Sequence, residues 1–154
     1  MIGRAVQILV LLTLSVLAAP LAAGAQQSGK VPRIGYLGVS SPALERDRVE
    51  ALRQGLRDLG YAEGQNILIE FRWAEGRYDR FPEFAAELVR LKVDVILTAG
   101  TPGALAAKQA TQTTPIVMVS GDAVGTGLAR SLARPGGNIT GLTRMSQELE
   151  GKRL

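Results

Sequence analysis

Apolar residues along this chain fall into short dense runs, separated by longer stretches in which they recur every three or four positions. The clearest run is Val93–Leu97, which empties into the small-residue loop Thr98-Ala99-Gly100-Thr101-Pro102-Gly103. A run of this kind suits a strand covered on both faces, as in a parallel sheet. Ile34–Val39 runs into Ser40-Ser41-Pro42 in the same way, and Ile116–Val119 into Ser120-Gly121-Asp122. The pattern predicts strands over Pro32–Val39, Ile67–Trp73, Val93–Leu97, Pro115–Val119 and Ile139–Thr143. In the second strand, Ile69, Phe71 and Trp73 alternate with Glu70 and Arg72. That alternation marks a half-exposed strand near a sheet edge.

Between the strands the period lengthens. Val49, Leu52, Leu56 and Leu59 share one face of a helix expected over Ala43–Leu59, with Ser41 as a candidate cap and Gly60 as its stop. Phe81, Phe84, Leu88 and Leu91 do the same over Arg80–Leu91. Ala104–Thr111 reads as a short third helix. A fourth, near Gly125–Ala133, is weakened by Gly127, and Arg134–Asn138 is a turn. Strict alternation of strand and helix predicts a doubly wound parallel α/β sheet with right-handed crossovers.

Two segments lie outside that rhythm. Met1–Ala25 carries Arg4, the apolar stretch Ala5–Ala19, a break at Pro20 and the small-residue sequence Ala23-Gly24-Ala25. This is the plan of a cleavable signal peptide, and the apolar stretch is short for a membrane span. The expectation is an extracytoplasmic protein with no stable membrane insertion after cleavage. Met145–Leu154 begins a helix-like pattern that stops before it is complete. The expected organisation is a signal peptide at 1–25, an α/β lobe at 26–143, and at 144–154 the start of a crossover.

Composition removes whole classes of chemistry. The 154-residue sequence has no cysteine and no histidine. A disulfide, a thiolate nucleophile, a Ser-His-Asp triad and a His-ligated zinc site are therefore impossible. The net charge of +4 comes with arginines spread along the chain and interleaved with Asp and Glu. That distribution reads as solvated helix faces, not as a nucleic-acid patch.

Ligands of open α/β sheets sit beyond the carboxyl ends of the strands. The candidate ligand-binding residues are therefore Ser40 and Ser41 after strand one, Thr98, Gly100 and Thr101 after strand three, and Ser120 and Asp122 after strand four. Hydroxyls, a carboxylate and glycine-exposed backbone suit a polar small molecule, although serine, threonine and aspartate also cap helices and turns at such places. The loop after strand three lacks the Gly-Lys-Ser/Thr of a P-loop, and the dinucleotide spacing G-x-G-x-x-G is missing. No base–nucleophile pair or metal-ligand cluster is apparent, so no catalytic residue, metal site or cofactor is assigned. Asp94, at the amino end of its strand, reads as structural. Trp73 reads as packing. Asn138-Ile139-Thr140 matches a glycosylation acceptor, a pattern common by chance.

Several long stretches carry a family resemblance: VPRIGYLGVSSP, GYAEGQNILIEFRWAEG, VDVILTAGTPG and SLARPGGNITG. With them the chain resembles the N-terminal part of an ABC-transporter substrate-binding protein of the tryptophan/tyrosine or uncharacterised type, with a type I periplasmic-binding fold. The resemblance implies a Rossmann-like lobe, a second lobe that is missing here, and a small ligand, with amino acids among the candidates, held between them. It also implies a membrane permease as partner and no enzymatic activity. The cleft-facing loops would be Ser40-Ser41, Thr98–Thr101 and Ser120–Asp122, with Asp122-Ala123-Val124 where relatives often carry Asp-Pro-Val. On this reading the chain looks truncated and half a cleft binds weakly. The alternatives are a small exported α/β enzyme and a sensory ligand-binding domain on the same fold.

Overall fold

The computed structural model describes residues 30–143. The signal-peptide reading of 1–25 and the helix-like pattern of 145–154 lie outside the described residues. Five strands are formed: β1 Arg33–Gly38, β2 Leu68–Trp73, β3 Val95–Ala99, β4 Ile116–Ser120 and β5 Ile139–Thr143. They make one sheet in the order β2-β1-β3-β4-β5, and every neighbouring pair is parallel. The half-exposed pattern of β2 places it at an edge, where it is found. The order reverses between β1 and β3. The crevice at such a reversal is where open α/β sheets hold ligands.

Three α-helices connect the strands: α1 Arg46–Asp58, α2 Phe81–Arg90 and α3 Thr101–Ala110. A 3-10 turn at Tyr78–Arg80 leads into α2. Helices α2 and α3 pack on the face that carries Leu37, Ile96, Ile116 and Met118, and with Phe81, Phe84 and Leu88 they form the apolar core. A Cβ added at Gly35 would lie 3.0 Å from the Leu88 side chain, so this glycine lets α2 lie close to β1. Gly38 makes the same room for Trp73 on the other face. Tyr36, Phe71 and Trp73 form an aromatic cluster there, with ring centroids 5.3–5.5 Å apart. Trp73 is thus used in packing.

Several sequence expectations shift. Strand three begins and ends two residues later than its apolar run. Lys92 takes φ +53 and Val93 belongs to the turn, while the ladder to β4 extends to Ala99↔Val119. Helix α3 correspondingly starts at Thr101. Helix α1 starts at Arg46, not Ala43, because Leu44 and Glu45 first donate their N–H groups to the Ser41 carbonyl. Ser41 therefore accepts through its backbone and does not cap through its hydroxyl. Leu59 lies beyond the end of α1 and is exposed.

The fourth helix does not form. Gly127 adopts φ +71, which interrupts a right-handed helix, and the segment is a series of turns. Ala123, Leu128 and Ala129 still plug into the core. Lys108 of α3 donates to the Gly127 and Leu128 carbonyls at 2.6 and 3.2 Å. Asn138 uses its amide to donate to the Thr111 and Thr114 carbonyls at 3.2 and 2.7 Å, which ties the start of β5 to the start of β4. Asp94 accepts the Arg33 N–H at 2.8 Å, at the end of the sheet opposite the rim.

Candidate functional site

The carboxyl ends of β1, β3 and β4 surround an open recess of about 590 Å³. Its lining is Val39 and Ser40 after β1, Ala99 and Gly100 at the β3–α3 junction, Val119, Ser120 and Gly121 at the end of β4, and Arg48 from α1. Most of this lining is backbone and small side chains. Gly100 is the pivot. It takes φ +95 and ψ +146, a conformation that essentially only glycine adopts, and it turns the chain from β3 straight into α3. Its N–H donates to the Val119 carbonyl at 2.7 Å, so the β3 and β4 ends are joined at the rim.

Ser120 ends β4. Among the described residues, its hydroxyl is the buried side-chain polar group that meets no hydrogen-bond partner. Ser120 is 3% exposed and borders the recess. Buried hydroxyls are normally paired, because an unmade hydrogen bond costs about 1–3 kcal/mol. The loop beyond is fixed by β5: Thr143 donates its hydroxyl to the Gly121 carbonyl and accepts the Ala123 N–H at 3.3 Å.

Below the recess lies a group that the helical pattern does not single out. Glu45 is 1% exposed, just ahead of α1. Its carboxylate accepts the Tyr36 hydroxyl at 2.7 Å and the Ser40 N–H at 2.7 Å, and faces the Arg48 guanidinium at 3.6 Å. Burial raises the Tyr36 pKa above its usual value. The hydrogen bond to Glu45 and the charge of that carboxylate add to the shift, and Arg48 offsets part of it. One buried carboxylate thus holds the backbone of the β1 loop and the one charged side chain of the recess lining. A signal for Glu45 was available. It stands four residues before Val49, so a carboxylate continues the apolar stripe of α1.

The structure brings Ser40, Gly100 and Ser120 together around the recess. Ser41 and Thr101 flank it without lining it. Thr98 lies inside β3, buried, and its hydroxyl donates to the Leu37 carbonyl at 3.0 Å. Gly103 leaves room for that threonine. Asp122 is exposed and organises its own turn: its carboxylate accepts the Gly125 N–H at 2.8 Å, and its carbonyl accepts the Thr126 hydroxyl at 2.6 Å.

A rim of this kind at a topological switch point is where relatives become informative. The family described as ABC transporter substrate binding protein matches residues 36–151. The chain belongs to that family. The match takes in all of the rim. A curated protein of Clostridioides difficile named tyrosine-binding protein is 38% identical over 104 residues, which are 67% of this chain and 30% of that protein. A crystal structure of a conserved domain protein from Vibrio cholerae superposes with a TM-score of 0.70 at 33% identity, covering 80% of this chain and 43% of that one. A Streptococcus pneumoniae structure described as an ABC domain in complex with L-Trp gives a TM-score of 0.66 at 31% identity, covering 74% and 39%. This family member spans about 30% of the length of its curated relative, so the similarity concerns one part of a larger protein. Among the described residues no helix is long and apolar enough to cross a membrane.

Proposed function

We propose that this chain supplies one lobe of an extracytoplasmic solute-binding component of an ABC transporter, and that its ligand is a small molecule of the amino-acid class. The observation that carries the reading is the recess at the β1/β3 reversal, where backbone, two serines and an arginine converge and one hydroxyl is buried without a partner. The relatives named for tyrosine and solved with L-Trp favour an amino acid over a sugar or a metal. Met1–Ala25 directs export, and the partner is a membrane permease that reads closure of two lobes around the ligand.

Binding without turnover suits the rim better than catalysis. Ser40 meets Glu45 through its backbone N–H, and the Ser120 hydroxyl touches no base. Neither serine is activated as a nucleophile.

A single lobe covers one side of a ligand, whereas small-ligand sites bury most of the ligand surface. The expected affinity is therefore weak, with a dissociation constant of about 1 mM, or roughly −4 kcal/mol. The test is an amide-proton NMR titration of the full chain with L-tryptophan, with D-glucose as control. Shifts confined to Ser40, Gly100 and Gly121 with the amino acid alone, and recovery of unaltered tryptophan, are expected. Equal response to both ligands, no response, or chemical conversion of the tryptophan overturns the reading.

A further inference from the structure

We infer that the seam between α1 and the edge strand β2 is a protein-docking groove, and that its occupant is an amphipathic helix of a partner protein that sets carboxylates against Arg46 and Arg57. The groove shares no lining residue with the recess at the strand ends, so it is a separate surface of the lobe.

Two open recesses lie along this seam, of about 220 and 210 Å³. Val49, Phe71 and Trp73 supply the apolar lining of the first, and Leu56, Tyr61 and Ala62 that of the second. Phe71 and Trp73 are half-buried and stack with ring centroids 5.4 Å apart and planes within 7° of parallel. Arg53 borders both recesses. Its guanidinium lies 5.8 Å from the centre of the Phe71 ring and is clamped by Glu50 at 2.9 Å and Glu63 at 2.6 Å, so the ridge between the recesses is held in place. Val49 and Leu56 stand seven residues apart on α1, which sets the recesses about 10 Å apart along the helix. A partner helix lying along the seam presents side chains at i and i+7 with that spacing.

Charge selects the partner. Arg46, Glu50, Arg53 and Arg57 follow one another at intervals of four, three and four, which is one row down α1. In the middle of the row, Arg53 and Glu50 satisfy each other. At its start, Arg46 is 78% exposed and stands 3.7 Å from Asp47, a loose surface pair that contributes little. At its end, Arg57 is exposed and donates to the neutral Gln54 side chain at 2.7 Å. The groove therefore offers two apolar recesses and, about 16 Å apart along the helix, two cations with little compensation. Carboxylates at matching positions on the partner complete it.

Other occupants meet opposition. A strand added to the edge of β2 would compete with Arg72, whose guanidinium already donates to the Phe71 carbonyl at 2.8 Å. A second copy docked with the two α1 helices antiparallel would oppose Arg46 to Arg57. A uniformly anionic lipid surface would meet Asp47, Glu50, Asp58 and Glu63, which stand among the arginines.

The experiment uses the full chain, with its one tryptophan, Trp73, as the reporter. The probe is a helical peptide of about 15 residues, built of alanine and glutamine, with two phenylalanines seven residues apart and two glutamates eleven residues apart. It is expected to shift Trp73 emission to shorter wavelength and to move amides of α1 and β2. Replacing the phenylalanines by alanine should abolish the response, and replacing the glutamates by glutamine should weaken binding about ten-fold. Arg46→Gln and Arg57→Gln, both at exposed positions that leave the fold intact, should each weaken it about three-fold and together about ten-fold, because the two sites lie far enough apart to act independently. Equal binding of the glutamate and glutamine peptides overturns the charge match that defines the partner. No change at Trp73 with the glutamate peptide, or an arginine-dependent change with phosphatidylserine-containing vesicles and none with the peptide, overturns the helix as occupant. The response of the Ser40, Gly100 and Gly121 amides to L-tryptophan should be the same in both arginine variants as in wild type, and its loss in them overturns the separation of the two surfaces.

Discussion

The Tyr36 hydroxyl and the Glu45 carboxylate meet at 2.7 Å in a setting where both residues are almost fully covered. The fold favours the neutral phenol, so the folded-state pKa of Tyr36 is raised. A raised pKa means that the contribution of this group is fully present below the unfolded value of about 10 and is lost as pH rises through the higher folded value. Tyr36→Phe removes one donor from a buried carboxylate and should cost roughly 1.5–3 kcal/mol near neutral pH. Urea unfolding at pH 8 and again above pH 10 checks this. The gap between wild type and variant should narrow at the higher pH, because only the wild type loses stability by ionising this phenol. Single residues were legible in the sequence where an apolar run empties into a small-residue loop: Ser40 and Ser120 directly follow such runs, and Gly100 lies within the loop after Val93–Leu97. Thr98 was not. Whether a threonine closes a strand or opens a loop depends on where the hydrogen-bonded ladder stops, and here the ladder runs on through Thr98↔Met118. Glu45 and Arg48 were overlooked because a stretch rich in Arg and Glu hides the buried carboxylate at its start.

At the scale of elements, the junction between β3 and α3 carries the strictest backbone requirement. Gly100 joins the two with no intervening residue, at φ +95. Gly100→Ala would force a side chain into that conformation and set its Cβ 3.3 Å from Val39. The expected loss is roughly 1–3 kcal/mol, read as a lower urea midpoint at unchanged slope. The strand–helix alternation itself was plain from periodicity, and β2 was correctly read as an edge strand from its polar–apolar alternation. The segment between β4 and β5 shows the limit of that reasoning. Leu128 and Ala129 bury as helical residues would, but Gly127 interrupts the helix, and Lys108 satisfies the Gly127 and Leu128 carbonyls. That partner comes from α3, so no local window of sequence contains it.

Among the described residues the two sheet faces are unequally covered. Helices α2 and α3 cover one face from β1 to β4. On the other face α1 lies over the β1–β2 side, and Val95, Leu97, Val117, Val119 and Leu142 continue the apolar surface toward β5, where Leu142 is 71% exposed. Parallel sheets are normally covered on both faces. Such a surface should promote self-association. Leu142→Glu is expected to lower concentration-dependent association of the chain in light scattering, and to change stability by less than about 0.5 kcal/mol because the side chain is exposed. By itself the sequence determined the parallel α/β class, the edge position of β2, the exclusion of cysteine and histidine chemistry, and the three loops that form the rim. Each of these follows from residue identity and short-range period. Only the tertiary structure decided that β1 and β3 are neighbours across the reversal, that Ser120 is buried without a partner, and that Glu45 joins Tyr36, Ser40 and Arg48. Those facts depend on contacts between segments distant in the chain or on the bend that turns Glu45 back toward β1. Packing sets such contacts, and periodicity carries no record of them.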